Sequence, residues 1–325
     1  MRALVVEDLA ADFAGCAVRE VATPSPGPGE ALVRVRAASV NFPDLLMTRG
    51  EYQFKPPLPF TPGLDIAGEV VALGEGVAGL KVGDAVVGGA RLGGFAEYAV
   101  LPAEGLKPKP ERLSCAQGAA YGAAYLTAYV ALMRRAWLEA GEWVLVHGAA
   151  GGVGLAAVDM AKALGARVIA ASASDDKLAR IQALYDVDAV VNVTGGFRER
   201  VKEITGGRGA DVIYDPVGGD VFDESTRCIA FDGRLLVIGF TSGRIPTVSV
   251  NMPLIKGFSV MGVRAGEYGR QFPEKGRENA QAVWRMADEG VIRPHVHAEL
   301  PLDRWREAFE LLSERKVVGK AVIVP

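Results

Sequence analysis

"VHGAAGGVGLAAVDMAKALG", residues Val146–Gly165, places five glycines and a run of alanines where the apolar segment "EWVLV" gives way to a helical pattern. Counting back from Gly154 gives Ala149-x-Gly151-x-x-Gly154, the G-x-G-x-x-G spacing with alanine in the first place. Alone such a match is weak, but here strand, loop, helix and second strand follow in register. Gly151 lets the backbone approach a pyrophosphate, and Gly154 lets helix and strand pack closely. The helix N-terminus then offers N–H groups to the anion. The stretch predicts a dinucleotide cradle with Ala150, Gly151, Gly152, Val153 and Gly154 as its contacts. A packing turn of small residues is the alternative.

On either side of the loop the texture differs. After about Ala120, the runs "EWVLVHG", "ARVIAAS", "DAVVN", "DVIYD", "GRLLVIG" and "FSVMGV" alternate with helical patterns such as "DDKLARIQALY". That alternation means βαβ units and a doubly wound parallel sheet, and six strands match a full dinucleotide fold. Before it, short strands such as "ALVRVRAASV" are punctuated by "SPGPGE" and "FKPPLPFTPG", suggesting a small β-barrel or sandwich. After about Val263 come two amphipathic helices, one through Val283 and Trp284 and one through Trp305, Phe309 and Leu312. The runs "HAELPL" and "GKAVIVP" follow as strands that could complete the first domain. The expected organisation is α/β: a β-rich domain over 1–122 completed by 265–325, and a Rossmann domain over 123–264, with a cleft between them.

The ribose end distinguishes the dinucleotides. An NAD site needs a carboxylate at the end of the second strand to accept from the 2′-hydroxyl. Here "RVIAAS" ends on Ala171 and Ser172, and Asp175 and Asp176 follow Ser174 as first-turn acids of a capped helix. Lys177 sits badly with the helix dipole unless an anion is near, and a 2′-phosphate is one. A solvated lysine paired with an acid is the alternative. The absent acid and the present lysine point to NADP(H).

The whole chain sets limits. At 325 residues, two domains are expected. A net charge of −3 gives no basic footprint for nucleic acid. Three dispersed cysteines without a C-x-x-C pair argue for a reducing compartment. "MRALVVEDLA" carries no signal-peptide pattern. The Ala- and Gly-rich "AQGAAYGAAYLTAYVALMRR" reads as a buried helix rather than a membrane span. A cytoplasmic protein is expected.

Several motifs together carry a family resemblance over essentially the whole chain: "VNFPDLLMTRGEY" from Val40, "PFTPGLDIAGEV" from Pro59, "GAAGGVG" from Gly148, "YDPVGG" from Tyr214, "GRLLVIGFTSG" from Gly233 and the terminal "GKAVIVP". The chain resembles the zinc-independent quinone oxidoreductase (zeta-crystallin-like) branch of the medium-chain dehydrogenase/reductases. The resemblance implies a GroES-like catalytic domain beside the Rossmann domain. Zinc alcohol dehydrogenases of that superfamily place a cysteine ligand where this chain has "NFPD", and Gly-His-Glu where it has Gly63-Leu64-Asp65. Catalytic zinc needs three N, S or O protein ligands. His295 and His297 lie two apart on an expected strand with no evident third ligand, so no metal is expected. Without a Lewis acid, an isolated ketone is hard to reduce, whereas a quinone or conjugated enone spreads the arriving charge.

The resemblance also implies site residues. Asn41 and Tyr52 line the pocket above the nicotinamide: Asn41 to hydrogen-bond cofactor or substrate oxygen, Tyr52 to orient substrate or supply a proton. Loop packing is the alternative for each. A tyrosine common in the family near Met47 is replaced, which would make the pocket more apolar. Thr127 is expected beside the nicotinamide, and Gly239, Phe240 and Ser242 at the carboxyl-end edge after the fifth strand. A tyrosine the family often presents to the adenine is absent at Asn192 and Val193. Arg315 falls near the cofactor by resemblance, though a helix-end surface arginine reads equally well. His147 is expected to pack or hydrogen-bond. The leading reading is NADPH-dependent reduction of a quinone or enone by a homodimer, with "TVSVNM" as its edge strand. An enoyl- or acryloyl-CoA-type reductase and a non-catalytic NADPH-binding protein are the alternatives.

Overall fold

The computed structural model describes residues 1–325. Two compact units emerge, Met1–Ala123 with Pro294–Pro325, and Ala124–Arg293. The first begins with β1 (Arg2–Val6), β2 (Cys16–Glu20) and the long β3 (Glu30–Ser39), then α1 (Phe42–Thr48). It continues through β4 (Asp65–Leu73), β5 (Ala85–Gly89), β6 (Tyr98–Pro102), β7 (Lys107–Pro108) and most of α2 (Cys115–Tyr129).

The second unit holds β8 (Trp143–Val146), α3 (Gly152–Ala163), β9 (Arg167–Ser172), α4 (Asp175–Tyr185) and β10 (Ala189–Asn192). Next come α5 (Arg198–Ile204), β11 (Ala210–Asp215), α6 (Gly219–Ser225) and β12 (Ile229–Val237). It closes with α7 (Asn251–Lys256), β13 (Ser259–Gly262), α8 (Ala265–Gln271) and α9 (Pro273–Asp288). The first unit is completed by β14 (Val296–Pro301), α10 (Trp305–Ser313) and β15 (Lys320–Val324).

The return to the first unit falls at Pro294, some way beyond the expected 265. The intervening helices stay with the second unit because α2 continues into a π-helical turn, Val130–Arg135, against which α8 packs. There Arg134 Nε donates to Asn279 Oδ1 at 2.7 Å and its guanidinium pairs with Glu278.

In the first unit the sheet order is β14-β15-β3-β4-β5-β7, with β6 also on β3. The terminal run "GKAVIVP" therefore does join the β-rich domain: β15 lies antiparallel to β3, and β14 lies parallel to β15. The spacing of Trp305 and Phe309 puts both on one stripe of α10, where they meet edge-on at 5.4 Å. Phe309 also receives Phe13 at 5.3 Å and Phe95 at 5.9 Å, so one aromatic cluster fastens the C-terminal return to the first strands.

In the second unit all six strands are parallel, in the order β10-β9-β8-β11-β12-β13. Counted within the sheet this is 3-2-1-4-5-6, the doubly wound order that binds dinucleotides. The near-continuous apolar β8 and β11 lie at its centre, and every residue of β11 is buried, as a sheet covered on both faces requires. "TVSVNM" does not form the edge strand: residues 247–250 are irregular, Asn251 and Met252 open α7, and β13 is the edge. Pro253 explains the change, since it suits a helix's first turn and breaks a strand ladder. No helix is long and apolar enough to cross a membrane.

His147 follows β8 and packs, as its place before the loop suggested. It is buried edge-on against Phe197, and its Nε2 lies 2.8 Å from Ser225 Oγ. Ser225 spends its own proton on Val221 O, so the imidazole is the Nε2–H tautomer. Burial pushes its pKa down to about 3. A group held below its unfolded value of about 6.5 contributes fully above that pH and loses its contribution as the pH falls toward 3. The stability of the protein, read from urea unfolding, should therefore decline between pH 6.5 and 4 by an amount on the order of 3 kcal/mol from this residue. His147→Gln should flatten that slope; an unchanged slope would show that His147 does not titrate on unfolding.

Candidate functional site

The strand order turns at β8, with β9 on one side and β11 on the other, so the loops leaving their carboxyl ends flank the crevice of the sheet. In the first loop Gly148 adopts φ +54° and Gly151 N donates to Gly148 O at 2.8 Å. Leu155 N then closes the first turn of α3 on Gly151 O at 2.7 Å. A Cβ on Gly154 would stand 2.2 Å from Gly148 O, so only glycine permits this approach. A Cβ on Gly151 would meet the same oxygen at 3.3 Å, a tight contact rather than a forbidden one. Gly151 is exposed and Gly152 and Val153 are partly so, whereas Ala150 and Gly154 are buried. The first N–H groups of α3 have no carbonyl one turn earlier in their own helix. The loop thus fits an anion such as a pyrophosphate, with Gly154 and Ala150 acting by packing.

The "YDPVGG" run builds the facing ledge. Asp215, ending β11, accepts from Val217 N at 2.8 Å and Gly218 N at 2.9 Å. Gly218 and Gly219 take φ +69° and +59°. A Cβ on Gly219 would lie 2.7 Å from Ser242 Oγ, so the glycines let the loop after β12 close over them. That loop is stitched down by Thr241 N to Pro216 O (3.1 Å) and Ser242 N to Val217 O (3.0 Å). Gly239, Phe240 and Ser242 therefore sit together at the carboxyl end of the sheet, with the Phe240 ring half exposed.

At the end of β9 no carboxylate replaces Ser172. Ser174 caps α4, its Oγ accepting from Lys177 N at 3.4 Å, so Lys177 lies in the first turn. Asp175 Oδ1 accepts from Asn192 Nδ2 at 2.7 Å. Asn192, at the end of β10, also takes Thr194 N on Oδ1 at 2.9 Å. Its role is to hold one acid of this turn.

The first unit gathers a group of charges that the sequence reading did not single out. Asn41 caps α1, and its N–H donates to Asp44 Oδ2 at 2.8 Å; Asp44 Oδ1 accepts from Gly63 N at 2.9 Å. The Asn41 amide donates to Asp65 Oδ2 at 3.0 Å and to Ser39 O at 3.2 Å. Lys320, opening β15, donates to Asn41 Oδ1 at 2.5 Å and Val40 O at 3.2 Å. Burial pushes Asp44 up to about 7, against the pull of its two backbone donors and Lys320. Burial also raises Asp65, opposed by Lys320 and the Asn41 amide, and lowers Lys320, opposed by both acids. The available signal was one charge standing alone in each of three apolar runs, "NFPDLLM", "PGLDIAG" and "GKAVIVP".

The remaining candidates separate. Tyr52 packs on the first unit's core, partly exposed, and its hydroxyl makes no hydrogen bond within the protein. Met47 is buried in that core. Thr127 lies on α2, partly exposed, in the second unit. Arg315 is exposed just after α10 at φ +56°, where a helix usually ends in glycine. His297 is exposed on β14, and His295 precedes that strand. No group of three His, Cys, Asp or Glu side chains converges as metal ligands would.

Comparison with known proteins places both units. Residues 27–111 match the alcohol dehydrogenase GroES-like domain, and residues 152–283 match the zinc-binding dehydrogenase domain. A "Quinone oxidoreductase-like protein 2 homolog" of Nematostella vectensis is 39% identical over 323 residues, 98% of this chain and 85% of the relative. "Quinone oxidoreductase-like protein 2" of Mus musculus is 38% identical over 308 residues, 94% of this chain and 88% of the relative. The crystal structure of Escherichia coli quinone oxidoreductase complexed with NADPH superimposes with a TM-score of 0.89 and 30% identity, covering all of both chains.

The glycine geometry gives a graded expectation. Gly154→Ala must displace backbone and should cost several kcal/mol of unfolding free energy, on the order of 3 kcal/mol. Gly151→Ala should unfold within about 1 kcal/mol of the native protein. Equal losses in a denaturant titration would contradict the assignment of the close approach to Gly154.

Proposed function

Because the chain belongs to the quinone oxidoreductase branch of the medium-chain dehydrogenase/reductase superfamily, and is therefore an oxidoreductase, we propose that it reduces quinones or α,β-unsaturated carbonyls with NADPH and without metal. NADPH supplies the hydride when bound. The α3 N-terminus and the Gly148–Gly154 loop hold the pyrophosphate, while Gly239, Phe240 and Ser242 with Thr127 border the nicotinamide end. Ser172 and Lys177 receive the 2′-phosphate, a reading supported by the missing carboxylate at Ser172.

One observation carries the metal-free reading. Where the zinc dehydrogenases present a thiolate and an imidazole, this chain has Asn41, already committed to Lys320 and Asp65, and the apolar Leu64. Asn41 and Tyr52 then work without a Lewis acid: Asn41 positions, and the unoccupied Tyr52 hydroxyl orients the acceptor oxygen or hands it a proton. Such modest hydrogen bonding suffices for an acceptor that delocalises charge. The three cysteines are unpaired, in keeping with a reducing, cytoplasmic setting.

The functional form is a homodimer built on the edge of the second unit. Val250, Leu254 and Ile255 are 86%, 81% and 73% exposed, and Phe231, its ring over Gly257, is 82% exposed. Such a patch beside the open edge of β13 suits a second copy of the same surface.

Metal-stripped protein should oxidise NADPH with 1,4-benzoquinone, 9,10-phenanthrenequinone or an enone, and Lys177→Ala should weaken NADPH binding about tenfold while leaving NADH binding unchanged. Inactivity with all three acceptors while NADPH still binds, or unaltered NADPH affinity in the variant, would refute the respective part. In sedimentation velocity the native protein should run as a dimer and Leu254→Lys as a folded monomer; a monomeric native protein would refute the interface.

A further inference from the structure

Between the π-helical turn that follows α2 and the segment joining α8 to α9, the second unit holds a pocket of about 270 Å³. That is near the lower end of the range for small-molecule sites. Val130, Tyr268 and Phe272 give it apolar walls, Gln271 an amide and Arg135 a guanidinium. Gly262, the last residue of β13, also lines it, so the pocket lies at the carboxyl end of the edge strand.

Arg135 differs from the charges around it. Its Nε is buried without a hydrogen-bond partner, and no carboxylate of the protein pairs with its guanidinium. Its neighbours do pair: Glu267 holds Arg270 at 2.9 Å and Arg264 at 3.9 Å, and accepts from Gln271 Nε2 at 2.8 Å. Arg134 is bonded to Asn279 and Glu278. A buried donor left alone costs folding free energy and calls for a partner that the chain does not supply.

The backbone points the same way. After α2 the chain widens into six residues of π-helix, where Ala136 N reaches back to Ala131 O at 2.9 Å. The extra residue in such a turn rotates the side chains that follow, and π-turns recur at functional sites. The turn stops at Trp137, which takes φ +49° and is 67% exposed. A bulky residue is strained in this left-handed region, where glycine would be free. Arg135 is thus held in place at a cost in both backbone and hydrogen bonding.

The lining selects the ligand. A guanidinium with no internal acid offers its planar fork to a planar monoanion, and a carboxylate matches that fork. Glu267, which also lines the pocket, disfavours a dianion such as phosphate. Tyr268 and Phe272, with ring centres 5.2 Å apart, suit an apolar body alongside Val130. We propose that this pocket is a binding site for a small apolar carboxylate, with Arg135 as its anchor. The site goes beyond the oxidoreductase reading and does not rest on it, since every lining residue belongs to the second unit.

Isothermal titration calorimetry of the whole protein with 2-naphthoate and its uncharged counterpart 2-naphthalenemethanol tests this without NADPH or turnover. The native protein should bind naphthoate about tenfold or more tighter than the alcohol. Arg135→Met should bind the two equally, and Arg135→Lys should keep part of the preference, having the charge without the fork. Phe272→Ala should weaken both ligands severalfold and preserve their ratio, which separates this pocket from the anion cradle at the glycine loop. Equal binding of acid and alcohol by the native protein would overturn the proposal. So would an acid preference that survives Arg135→Met, or unchanged affinities in Phe272→Ala. If Arg135→Met does not fold, the native and Phe272→Ala titrations decide by themselves. A protein inert to quinones that still prefers the acid through Arg135 would refute the function and leave this inference standing.

Discussion

The carbonyl oxygen of Gly148 leaves no room for a side chain at Gly154, and the second unit is organised around that contact. It accepts from Gly151 N at 2.8 Å and occupies the place a Gly154 Cβ would need. The chain must therefore turn within a few residues of leaving β8, and α3 begins at the carboxyl end of the sheet. Its first N–H groups and its dipole then face the crevice where the strand order reverses. Glycine spacing and anion chemistry both follow from one close approach. The facing ledge repeats the device: Gly218 and Gly219 lie so close to Phe240 and Ser242 that added side chains would collide.

The first unit solves a different problem. Two acids and one ammonium lie within it, and isolated buried charges cost several kcal/mol each. Each is instead answered: Asp44 by two backbone N–H groups, Asp65 by Asn41, Ser39 and Ala123, Lys320 by Asn41 and Val40. A network of this kind is weak support for stability, because apolar residues could fill the same volume. Its value lies in geometry. It joins the first turn of α1, the start of β4 and the start of β15 through one amide, and it fixes which way that amide faces.

The sequence made the second unit legible because its signals are local. Strand–glycine–helix spacing, alternating β-branched runs and the capped start of α4 each depend on neighbours a few residues apart, and all stand in the structure. Elements decided by tertiary contacts were harder to read. "TVSVNM" has the alternation of a strand, but Pro253 and the chain around it favour the start of α7. Helices α8 and α9 carry no mark of which unit they join, since the choice rests on Arg134 reaching Asn279 and Glu278. Around Asn41, the motif residues were visible but their coupling was not. Lys320 lies 279 residues further along the chain, and no period in the sequence links the two.

The proposed reaction moves hydride from NADPH to a conjugated acceptor with only this chain's side chains to assist. NADPH deuterated at its transferable hydrogen, an enone acceptor and protein shown by elemental analysis to be free of zinc test this most directly. Deuterium should appear on the product carbon β to the carbonyl. An unlabelled product, or label transfer that occurs only after zinc is added, would contradict it.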